Sequence, residues 1–144
     1  MKNKKIVYFS VLVFTALFIS DAYCETAEEY FNRGVSLGKQ GKHAAAIAEF
    51  EKSAELAPRN AQIYFNIGYT YERKRDADKA ISYYSKAISI NPKYIDAYKR
   101  RSAMYWYSSQ YDKSWSDVNE VKALGGAVDP GFLEVLKRDS GRDK

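Results

Sequence analysis

The sequence predicts an all-α fold, on three observations. The stretch from Ala61 to Tyr94 reads as two amphipathic helices, roughly Ala61 to Lys74 and Ala77 to Ile90, joined by a short polar turn. Tyr64, Ile67 and Tyr71 fall at three- and four-residue spacing, which puts them on one helical stripe, and Ile81, Tyr84, Ile88 and Ile90 continue it in the second helix. Small residues at Gly68, Ala80 and Ala87 let two helix backbones approach closely, as in a packed helix pair. The whole chain of 144 residues has only 3 prolines and 8 glycines, few for a loop-rich fold.

The pattern resembles the tetratricopeptide repeat. Counted from Ala61 as the first position of a unit of about 34 residues, Tyr64, Ile67, Gly68, Tyr71, Ala80, Tyr84, Ala87 and Pro92 supply that family's large, large, small, aromatic, small, aromatic, small and proline positions. The resemblance implies an α-solenoid: three helix-turn-helix repeats over 27–60, 61–94 and 95–128, within a domain spanning 25–128. In the first repeat, Tyr30, Gly34, Leu37, Ala46, Phe50 and Pro58 keep the pattern; Arg33 replaces a large apolar residue and Ser53 an alanine. Gly41 marks the turn between its two helices, where positive φ is needed, and Pro58 ends its second helix. The third repeat has drifted. Tyr98, Tyr105 and Leu124 match, Ser102 and Ser114 stand for small residues, and Arg101 and Val121 replace an apolar and a small one. Gly125-Gly126 takes the place of proline, and a glycine just past a helix end is a common stop. Asp129 and Pro130 then begin a short helix expected over 129–139, whose apolar residues Phe132, Leu133, Val135 and Leu136 suit a cap on the last repeat; 140–144 reads as a frayed tail.

Residues 1–24 read as a secretory signal peptide. Lys2, Lys4 and Lys5 precede an apolar run from Ile6 to Ile19, shorter than the ~20 residues of a membrane-spanning helix. Cleavage after Ala22 and cleavage after Cys24 both fit the small residues there. The expectation is an exported protein, periplasmic or secreted, whose net charge falls from +5 to +3 on processing. A membrane-tethered subunit of an envelope assembly, lipidated at Cys24 or held by an uncleaved segment, is the alternative. Asp21 and Tyr23 depart from the lipid-attachment pattern.

No catalytic constellation, cofactor motif or metal set is expected. His43 is the single histidine and Cys24 the single cysteine, so no zinc set can be built. Gly34, Gly38 and Gly41 are spread over helix and turn rather than forming a phosphate-cradling loop. Basic and acidic residues alternate, as in Glu72-Arg73-Lys74-Arg75-Asp76, which argues against a nucleic-acid partner. An enzyme accessory or weak hydrolase is the alternative of another class, and no nucleophile–base pair supports it.

The resemblance implies a non-catalytic scaffold that takes a protein or peptide partner on the concave surface lined by the first helix of each repeat. The candidate groove residues are Phe31, Phe65, Asn66, Tyr69, Arg73, Lys99, Arg100 and Trp106. Aromatics and arginine are common interface anchors. Lys99 and Arg100 are expected to pair an acidic group. Phe65 and Trp106 are equally candidates for packing between repeats and under the C-terminal helix. Exposed aromatics also suit a second copy of the same chain. One subset of the family binds the C-terminal carboxylate of heat-shock chaperones through a five-residue clamp. Of its positions, Phe31, Val35 and Asp96 depart from the clamp and only Asn66 and Arg100 match.

Overall fold

The computed structural model describes residues 25–142, so the signal-peptide reading and Cys24 lie outside the described residues. Every regular element described is an α-helix: α1 Ala27–Lys39, α2 His43–Leu56, α3 Ala61–Arg73, α4 Ala77–Ile90, α5 Ile95–Tyr107, α6 Tyr111–Ala123 and α7 Pro130–Ser140. Among the described residues, no helix is long and apolar enough to cross a membrane. The helices pack as three pairs, α1 with α2, α3 with α4 and α5 with α6. Each second helix also packs on the next first helix, giving a helical solenoid. The first helices touch in turn, α1 with α3 and α3 with α5, and so line one side together.

Local chemistry sets the helix ends. Thr26 and Glu29 form a capping box at α1: the Thr26 side chain accepts from the Glu29 amide, and the Glu29 carboxylate accepts from the Thr26 amide at 2.7 Å. Asn60, Asp76 and Asp129 cap α3, α4 and α7 by accepting first-turn amides. Helices α2 and α4 stop two residues before Pro58 and Pro92, as the steric restriction ahead of proline requires. The turn inside each pair holds one residue with positive φ, at Gly41 (75°), Arg75 (61°) and Ser109 (57°).

Within the pairs, small and large residues face one another. A Cβ on Gly34 would lie 2.6 Å from the Phe50 ring, and one on Gly68 would lie 2.9 Å from the Tyr84 ring. Both rings are buried. In the third pair the corresponding residues are Ser102 and Val118, so a smaller partner leaves room for a serine. Ser114, fully buried, donates its hydroxyl to the Ser102 carbonyl at 2.8 Å. Phe50, Ile63 and Ile67 belong to a buried core cluster across the seam between the first two pairs. Burying side chains of this size contributes about 1.5–3 kcal/mol each.

Helix α7 packs on α6. Leu136 is its fully buried residue. The helix extends to Ser140 because both tryptophans find partners at its end: the Trp106 Nε1–H donates to Asp139 at 2.9 Å, and the Trp115 Nε1–H to Ser140 at 3.1 Å. An indole N–H that loses water needs an acceptor. Gly141 then ends the helix in the left-handed conformation.

Candidate functional site

The side lined by first helices carries a cleft of about 380 Å³ between α1, α2 and α3. Asn66, Tyr69 and Arg73 of the expected groove set lie on it, with Val35, Gly38, Lys39, His43 and Thr70. Helix α3 places Asn66, Tyr69 and Arg73 on one stripe by their three- and four-residue spacing. The Asn66 side chain donates to the Gln62 carbonyl at 2.8 Å, and Thr70 donates its hydroxyl to the Asn66 carbonyl at 2.8 Å. These bonds tie both side chains to the α3 backbone and fix how they face the cleft. Tyr69 is exposed, and Arg73 projects from the last turn of α3.

Phe31 lies on a second cleft of about 380 Å³, with Glu28, Asn32 and Gln62. Its ring packs against Phe50 at 5.6 Å, so one face belongs to the core. Phe65 is packed between repeats: its ring stacks on Tyr94 at 5.0 Å and tilts against Tyr84 at 5.5 Å. Trp106 meets Phe132 of α7 edge-on at 6.3 Å and is tied to Asp139, so α7 occupies the surface that this indole would offer to a partner. Lys99 is half-buried and forms no ion pair among the described residues.

Arg100 is already matched. Its guanidinium donates to Glu72 at 2.9 Å and lies 5.1 Å from the Tyr69 ring centroid. The other Glu72 oxygen accepts from the Tyr84 hydroxyl at 2.6 Å. Burial, and then the Glu72 carboxylate, push the Tyr84 hydroxyl far above the ordinary phenol range, so it stays a donor. The Arg100–Glu72–Tyr84 chain therefore links α5 to the second pair. Glu72 takes one donor of Arg100, so the expected pairing with a partner's acidic group would use the remaining ones.

Lys39, Gly38 and His43 line the cleft without being among the expected groove residues. Lys39 and Arg73 share a repeat register, which is a signal present in the sequence. The cleft position of His43 depends on how α2 packs against α3, which no local pattern reveals. The His43 Nδ1 is buried and has no hydrogen-bond partner among the described residues. Nor do the described residues contain a cluster of histidine, cysteine or carboxylate side chains arranged to hold a metal.

A model of the tetratricopeptide repeat family matches residues 31–95. Among solved structures, the crystal structure of MamA is similar at 27% identity with a TM-score of 0.68; the match covers 69% of this chain and 58% of the MamA chain. The first tetratricopeptide domain of Spaghetti (RPAP3), bound to the HSP90 peptide SRMEEVD, is similar at 25% identity and a TM-score of 0.72, over 81% of this chain and 92% of that one. The Sgt2 domain from Aspergillus fumigatus shares the fold at 17% identity and a TM-score of 0.69, over 81% and 78% of the two chains. No curated protein is a significant match to the sequence. Residues 31–95 thus match the tetratricopeptide repeat model, and the helix pairs that build the cleft share the fold of these solved structures.

Proposed function

We propose that this chain is a non-catalytic protein-interaction module, exported to the cell envelope, that binds a peptide segment along the face formed by α1, α3 and α5. The observation that carries this reading is the cleft at Asn66, Tyr69 and Arg73, where an exposed aromatic, an amide and a guanidinium converge on an open concavity. That combination suits peptide capture, the aromatic giving contact area and the polar groups direction. The peptide-bound Spaghetti domain, similar over most of this chain, supports it. On the cleft, the Thr70 hydroxyl donates to the Asn66 carbonyl rather than to His43, so no threonine–imidazole pair is formed there. Export rests on the basic start and apolar run of residues 1–24.

The test places a photocrosslinking residue at Tyr69 in living cells, with a control at Ser82, which is exposed on α4. A discrete captured protein from position 69, absent from position 82, is the expected result. Equal labelling from both positions would remove the cleft from the function. Mass measurement of the mature N-terminus tests export: a chain that still begins at Met1 and fractionates with the cytoplasm overturns that part.

A further inference from the structure

The cleft between α1, α2 and α3 carries charge of one sign. Lys39 and Arg73 lie on it beside His43, and no carboxylate does. Glu72, next to Arg73 in sequence, is turned away into its bonds with Arg100 and Tyr84. Lys39 and Arg73 form no ion pair among the described residues. The second cleft, at Phe31, includes Glu28 and no cation, so the two halves of the face differ in chemistry.

Gly38 adds a second, steric observation. It lies in the last turn of α1, one residue before the helix ends at Lys39, with no positive φ. Packing does not demand it: an added Cβ would meet only the Ala46 Cβ, at an ordinary 3.9 Å. Gly34, one turn earlier, is forced by the Phe50 ring. What Gly38 leaves open is the floor of the cleft. His43, whose buried Nδ1 has no hydrogen-bond partner among the described residues, lines the same cleft.

We propose that this cleft is an anionic subsite of the binding face, taking an aspartate or glutamate side chain from within a peptide, with Arg73 and Lys39 as counter-charges and Gly38 as the open floor. The inference rests on the peptide-binding reading above and adds the chemistry of one residue to it. A side chain is favoured over a chain end because three of the five chain-end clamp positions hold Phe31, Val35 and Asp96.

The experiment passes a library of short random peptides, acetylated and amidated at their ends, over immobilised mature protein. Retained peptides are sequenced for the wild type, Arg73→Gln, the Lys39→Gln/Arg73→Gln pair and Gly38→Leu. The wild type is expected to enrich Asp or Glu at one position by roughly tenfold, as one charge-assisted hydrogen bond allows. Arg73→Gln loses most of that bias, the double variant loses all of it, and both keep the apolar preferences. Gly38→Leu fills the floor and loses the acidic bias with the charges still present. Raising salt from about 0.05 to about 0.5 M weakens acidic peptides selectively in the wild type, a readout that needs no variant to fold. Retention of peptides with no acidic bias overturns the subsite and leaves the peptide-binding reading standing. Enrichment only in a parallel library with free carboxyl ends overturns the side-chain assignment in favour of a chain end. No retention by folded wild type overturns both.

Discussion

The first and third helix pairs place an arginine at the same register and bury it to different depths. Arg33 and Arg101 each reach a carboxylate 16 residues further on, Glu49 and Asp117. The middle pair holds Ile67 and Tyr83 at those places and makes the contact with apolar surface. In the first pair the arginine is 42% exposed and divides its donors between Glu49 and Glu25. In the third, Asp117 is 4% exposed, and the guanidinium grips both its oxygens, at 2.7 and 2.9 Å, while donating to Ser85 of the preceding pair at 2.8 Å. Depth decides what such a pair is worth. An exposed pair is screened by water and contributes little, whereas removing one partner of a buried pair strands the other charge.

The two carboxyls are displaced in opposite directions. The Arg33 hydrogen bond holds Glu49 below the usual carboxylate range. Burial pushes Asp117 up, and the Arg101 fork pulls it back only in part. Folding therefore favours ionised Glu49 and protonated Asp117. The Glu49 contribution is present above the ordinary glutamate value and is lost as pH falls through its lowered value. The Asp117 contribution is fully present below the ordinary aspartate value and declines as pH rises through its raised one.

The largest effect that would break this comparison is at the buried fork. Asp117→Ala is expected to lose about 3–5 kcal/mol in urea denaturation, by leaving Arg101 without its carboxylate partner. A loss below about 1 kcal/mol would put the pair in the same class as its shallower counterpart, in which Glu49 is 16% exposed. Next is Gly68→Ala, whose new Cβ presses on the Tyr84 ring. It is expected to cost about 1–3 kcal/mol, as overpacked cores do. Ser102 tolerates its side chain because Val118 replaces the aromatic, so Ser102→Ala should cost less than Gly68→Ala despite altering a buried residue. The smallest effect is Arg33→Ala, expected to move the melting midpoint by a few degrees at most. Carboxyl-carbon NMR titration sharpens the contrast: Glu49 should titrate below a free glutamate in the wild type and return toward it in Arg33→Ala, while Asp117 titrates above a free aspartate. Both resonances moving in the same direction would sink the account.

Much of the fold was legible because it is written locally. The stripe at Tyr64, Ile67 and Tyr71, the small residue at Gly68 and the stops at Pro58 and Pro92 each follow from helical spacing or backbone sterics. The partners of Arg33 and Arg101 were not legible, since an ion pair across two helices depends on packing. The C-terminus shows the same limit: 140–144 reads as a polar tail, yet Ser140 accepts from Trp115. Of the expected groove residues, the structure gathers Asn66, Tyr69 and Arg73 at one cleft, sets Phe65 between repeats and gives Trp106 to α7. Sequence position alone could not separate these, because a residue facing the inner surface can be covered by a later element.

The bends at Gly41, Arg75 and Ser109 recur every 34 residues with nearly the same backbone angle, but only the first is occupied by the residue that adopts it freely. The corner is thus dictated by the two helices it joins and survives a change of side chain, at about 1–2 kcal/mol for each non-glycine. Anyone tiling this hairpin into a longer rod should copy the first corner rather than the second or third. The repeated strain would otherwise accumulate with every added unit.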